Sequence, residues 1–150
     1  MLGASHVINY KETPEFGSLV KEFTGGKGVN VIQDPVLGGT NFNQNLDCLA
    51  MDSRWVIYGS MGGIKADNAN MVKPLLKRSS ILFSTLKSRS DEYKANLIKE
   101  MYDVCKPKFL SGELKPIIDR TYNLSEVVEA HKFIESNQSI GKVVLLNDLH

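Results

Sequence analysis

Val29-Asn30-Val31-Ile32, closed by Asp34-Pro35 and Gly38-Gly39 and followed later by Trp55-Val56-Ile57-Tyr58, is the stretch that decides the fold class. The first run is short, apolar and rich in β-branched residues, and the proline and glycines behind it are turn chemistry. Phe42, Leu46 and Leu49 then fall on one face of a helix before the chain enters the second apolar run. A strand apolar on both faces, an amphipathic helix and another such strand are what a parallel sheet covered on both sides requires. The class is α/β.

The same alternation extends in both directions. Upstream, Ser5-His6-Val7-Ile8-Asn9-Tyr10 reads as a strand, and Thr13-Pro14 as the start of a helix carrying Phe16, Leu19, Val20 and Phe23 on one face. Gly25-Gly26 ends that helix. Downstream, Gly59-Ser60-Met61-Gly62-Gly63 closes a strand, a helix is expected around Met71 to Leu76, and Ile81-Leu82-Phe83-Ser84-Thr85-Leu86 is a fourth strand.

Beyond Lys87 the rhythm changes. Ser90 caps a long helix with Asp91 and Glu92 in its first turn, and Leu97, Ile98, Met101, Val104 and Cys105 are expected to line its buried face. Pro107 should break or kink it. A short strand at Pro116-Ile117-Ile118, a helix from about Ser125 to Asn137 and a strand at Lys142-Val143-Val144-Leu145-Leu146 complete the chain.

With 150 residues, 42% of them hydrophobic, there is enough apolar material for a core. The 18 basic and 17 acidic side chains are interspersed and leave a formal charge of +1, so no field is focused on nucleic acid or on an anionic membrane. Neither is expected as a partner. Cys48 and Cys105 stand far apart with no Cys-x-x-Cys spacing, which predicts reduced, buried thiols and no metal knuckle. No run approaches the length of a membrane span, so a cytoplasmic protein is expected.

Glycine-bearing loops after parallel strands matter because ligands of open α/β sheets sit at the carboxyl ends of the strands. Two loops qualify, one with Gly38 and Gly39 and one with Gly59, Gly62 and Gly63, although each could simply turn the chain. Gly-x-Gly-x-x-Gly, the fingerprint that cradles a pyrophosphate, is absent. Asp34, just before a proline, reads as an Asx-type cap rather than a base. His131, among Val127, Ala130 and Ile134, reads as a packing residue, and Tyr10 could stack on a ligand or pack.

Six collinear segments resemble one family. Leu2-Gly3-Ala4 with Ile8-Asn9-Tyr10-Lys11-Glu12, residues 28–36, Arg54-Trp55-Val56-Ile57-Tyr58-Gly59-Ser60-Met61-Gly62-Gly63, Ser84-Thr85-Leu86-Lys87-Ser88-Arg89, Glu129-Ala130-His131 and residues 140–145 look like the zinc-free quinone-oxidoreductase branch of the medium-chain dehydrogenases/reductases. Within it they look closest to the p53-inducible quinone oxidoreductases, more than to the zeta-crystallins. Leu37 departs from the pattern as an extra residue before Gly38.

The resemblance implies a partial Rossmann domain over residues 1–87, lacking its first two strands, and a C-terminal segment of the catalytic, GroES-like domain over residues 88–150. It implies NADPH as cofactor, with Tyr10 beside the adenosine ribose and its 2′-phosphate and Tyr58, Gly59, Ser60 and Met61 along the nicotinamide half. Thr85, Leu86 and Lys87 would offer backbone groups to the carboxamide, and Asn137 matches a position that touches the 2′-phosphate. Hydride would pass to a quinone-like small molecule with no catalytic side chain and no metal among these residues. A homodimer through the edge strand at Ile81-Leu82-Phe83-Ser84-Thr85-Leu86 is implied as well. Sibling branches that reduce enoyl thioesters or alkenals, and a non-enzymatic dimerisation or binding remnant, are the alternatives. In the family's strand order the strand at Val7-Ile8 and the one at Val29 to Ile32 would be separated by a gap. The isolated chain is therefore expected to rearrange, borrow strands or belong to a longer polypeptide, and to be inactive or nearly so alone.

Overall fold

The computed structural model describes residues 3–147, and the chain divides into two compact units, Met1–Arg89 and Ser90–His150. In the first, α1 (Phe16–Phe23), β1 (Val29–Asp34), α2 (Thr40–Cys48), β2 (Leu49–Ile57), α3 (Val72–Leu76) and β3 (Ser80–Phe83) follow one another. The strands form a parallel sheet in the order β1-β2-β3. Ile32, Trp55 and Ile81 lie in one row across it, and Asp34, Ile57 and Phe83 in another two residues further along.

The core of this unit is the packing of α2 on the sheet. Trp55 is 0% exposed and meets the Phe42 ring at a centroid distance of 4.7 Å, with Leu46, Leu49 and Ile57 buried around the pair. Side chains of this size each contribute about 1.5–3 kcal/mol when fully removed from water. Leu49, which periodicity puts on the helix face, is instead the first residue of β2, and is buried all the same. α1 approaches α2 closely because Gly17 has no side chain, and its N–H donates to Gln44 Oε1 at 2.8 Å.

The strand expected at residues 5–10 does not form. A strand exists only through a ladder, and no described strand pairs with this segment. Val7 is 85% exposed, His6 stacks on Phe23 of α1, and the Asn9 carbonyl accepts from the N–H groups of Glu12 and Thr13 in a turn. The fourth expected strand is shorter than its apolar run: β3 stops at Phe83, and Ser84 to Leu86 lie outside it.

The second unit holds α4 (Asp91–Ser111), β4 (Ile118–Asn123), a short 3-10 turn (Leu124–Glu126), α5 (Val127–Glu135) and β5 (Lys142–Leu146), with β4 and β5 parallel. Ser90 caps α4 by accepting from the Tyr93 N–H, and Gly112 ends it in the left-handed conformation. Pro107 does not end it. The carbonyl that loses its partner there can turn to water, because the expected apolar face is not buried: Leu97, Ile98, Met101 and Val104 are each more than 40% exposed. His131 is exposed too, so it is not the packing residue its neighbours suggest, while Ala130 beside it is buried.

Candidate functional site at the carboxyl edge of the first sheet

β1 and β2 end side by side, and the two glycine-bearing loops that follow them are bonded backbone to backbone. The N–H of Tyr58 donates to the Asp34 carbonyl at 3.0 Å, that of Met61 to Pro35 at 3.2 Å and that of Gly62 to Val36 at 2.8 Å. A side chain on Gly38 would strike the backbone of Gly62 and Gly63, and one on Gly59 the carbonyl of Pro35. These glycines therefore do more than turn the chain; they let two loops share one layer.

Asp34 holds the first loop. It is 3% exposed, and its Oδ1 accepts from the N–H groups of Val36 (2.7 Å) and Leu37 (3.0 Å). Its Oδ2 accepts from Asn45 Nδ2 of α2 and Trp55 Nε1 of β2, both at 3.1 Å. The Asx-type cap is thus present, extended by two core donors that the local pattern does not reveal. Leu37 has φ 62°, a left-handed conformation that costs a residue with a side chain about 1–2 kcal/mol.

Tyr10, with Phe16, Gln33, Pro35, Asn41 and Asn45, lines a cavity of about 170 Å³ beside this loop. Gln33, Asn41 and Asn45 are site residues that sequence reasoning missed. Asn45 could have been found, because a polar residue between Phe42 and Leu46 on a buried helical stripe needs a buried partner. Tyr58, Ser60 and Met61 are exposed along the second loop. Thr85 lines a second cavity, of about 260 Å³, past the end of β3, whereas Leu86 and Lys87 are exposed in a bend and turn. Asn137 belongs to the second unit, where it follows α5 with φ 54°, a helix-ending conformation that asparagine tolerates.

The profile of the zinc-binding dehydrogenases matches residues 2–145. The chain belongs to that family. Among similar proteins, 2-haloacrylate reductase from Burkholderia sp is 34% identical over 97% of this chain and 43% of its own length. Human quinone oxidoreductase is 32% identical over 96% of this chain and 41% of its length. The crystal structure of JamJ enoyl reductase in its apo form superposes with a TM-score of 0.74 at 26% identity, over 97% of this chain and 42% of that one. The chain thus spans about two fifths of the relatives it matches and aligns with their C-terminal portion. Its fold is the Rossmann-like α/β fold of the medium-chain dehydrogenases/reductases.

The residues present do not fit the zinc of the family name. Among the described residues no three His, Cys, Asp or Glu stand together as a donor set. Burial, with the Asp47 charge adding to it, pushes the Cys48 thiol up to about 11. A dinucleotide fits in part. The cavity beside Tyr10 offers aromatic and amide groups suited to a nucleoside, while a glycine fingerprint for the pyrophosphate is not in the sequence. No helix of the described residues is long and apolar enough to cross a membrane.

Proposed function

We propose that this chain is the cofactor-binding part of an NADPH-dependent quinone oxidoreductase, a cytoplasmic enzyme that delivers hydride to a quinone-like acceptor. The joined loops after β1 and β2, with Tyr10 beside them, are the observation that carries this reading. Bound NADPH supplies the hydride. The chain's own part is to bind and orient: Tyr10 faces the adenosine end, and Tyr58, Gly59, Ser60 and Met61 form a wall for the nicotinamide half. Thr85, Leu86 and Lys87 extend that wall. An electron-poor acceptor takes hydride without an acid or base from these residues, so positioning and exclusion of water are what the protein contributes.

The proposal is tested by titrating the chain with NADPH and, separately, NADH while following the emission of Trp55, its one tryptophan. Saturable micromolar binding that favours NADPH and is lost in Tyr10→Ala is expected. No saturable binding would sink it. Similarity to 2-haloacrylate reductase supports a second reading, in which an electron-poor alkene accepts the hydride. Activity with an acrylate and none with a quinone, measured on a polypeptide that includes the rest of the enzyme, would favour that one. A homodimer through β3 is proposed too, since Leu82 and Phe83 are exposed on an edge strand. Phe83→Asp should then lower the sedimentation coefficient.

A further inference from the structure

We infer that Asp34 is a positioning residue that sets cofactor affinity by holding the loop of residues 35–39 in the one conformation that meets the loop after β2. The inference rests on the cofactor reading above, but its structural half is independent of it. Four donors converge on one carboxylate, two from the loop and two from the core, so a single rigid group fixes the loop relative to Trp55 and Asn45. Only a carboxylate can accept all four. An asparagine would turn its NH₂ toward either the loop amides or the Asn45 and Trp55 donors, leaving donor facing donor at a buried side chain.

The loop needs such a hold. Leu37 is in the left-handed region, with the N–H that enters this conformation donating to Asp34 Oδ1. The next residues, Gly38 and Gly39, lie against Gly62. Released, Leu37 would relax toward negative φ, and the bonds from Met61 and Gly62 to Pro35 and Val36 would be the first to lengthen. Those bonds carry the placement of Tyr58 to Met61, so Asp34, which also borders the cavity beside Tyr10, acts on the cofactor through the loops it holds.

The test compares amide hydrogen exchange and NADPH affinity in the full chain and in Asp34→Asn. Exchange at Leu37, Met61 and Gly62 should rise about tenfold or more while the β1–β2 ladder amides keep their protection, and the Kd for NADPH should rise about tenfold. Unchanged exchange at these amides overturns the hold itself. Faster exchange with an unchanged Kd overturns its role in affinity and leaves a purely structural carboxylate. Faster exchange in a chain whose wild type binds no NADPH overturns the cofactor reading and the assignment to affinity, with the hold intact. Should Asp34→Asn fail to fold, Asn45→Ala, which removes one core donor and spares both loop bonds, gives the same decision on a smaller scale: exchange at the three amides rises two- to fivefold, or the hold is overturned.

Discussion

The two units of this chain solve the same problem to different degrees. In Met1–Arg89 a parallel sheet buries Trp55, Leu49 and Ile57 beneath Phe42 and Leu46 of α2, whereas among the described residues of Ser90–His150 the one buried hydrophobic residue is Ala130. Both units have parallel strands and amphipathic helices, and the side-chain caps at Ser90 and Asn123 are in the second. Local structure therefore does not make a core; a helix must be laid across a sheet wide enough to receive it. Three strands under α2 achieve this, and the pair β4-β5 receives α5, while Leu97, Ile98, Met101 and Val104 of α4 stay exposed.

Trp55→Ala is the strongest way to break that contrast. Removing the side chain at the centre of the first core should cost about 3–5 kcal/mol, abolishing the cooperative melt of that unit while the amide exchange of β4 and β5 changes little. Gly59→Ala should cost less, roughly 1–3 kcal/mol, by forcing the β2 loop away from Pro35. Its signature is faster exchange at Met61 and Gly62 with the Trp55 emission retained.

Cys48 sharpens the comparison through pH. Its folded thiol titrates at about 11, raised by burial and then by Asp47, whereas an unfolded thiol titrates near 8.5. Between these values the folded state holds the extra proton, so the stability contributed by the neutral thiol is complete below the unfolded value and is lost as pH rises through about 11. The denaturation midpoint of the first unit should fall over that window, and Cys48→Ala should flatten the fall. Equal slopes in the two proteins would refute the assignment. The smallest effect belongs to the second unit: Leu97→Ser on the exposed face of α4 should shift stability by no more than about 0.5 kcal/mol, as read by urea denaturation.

Much of this was legible in the residues. β1, α1 and β5 follow from apolar runs, although α1 begins at Phe16 after an uncapped Glu15 and not at Thr13-Pro14, and the interruption at Asp34-Pro35 located the loop on which the site is built. Burial in the second unit was not legible, because the periodicity of α4 shows which face is apolar and says nothing about whether a surface is there to cover it. The strand at residues 5–10 failed for a related reason: β propensity makes a segment ready for a ladder, and a ladder needs a neighbour. His131 was misread as packing because its helix is apolar around it and yet exposed.

By itself the sequence determined the α/β class, the order of most elements, the turn chemistry at the carboxyl edge and the family, since each depends on local spacing or on collinear segments. Tertiary structure alone decided that Asp34 serves Val36, Leu37, Asn45 and Trp55 at once. A hydrogen bond spanning 21 residues exists only after β1 and β2 have paired and α2 has closed over them.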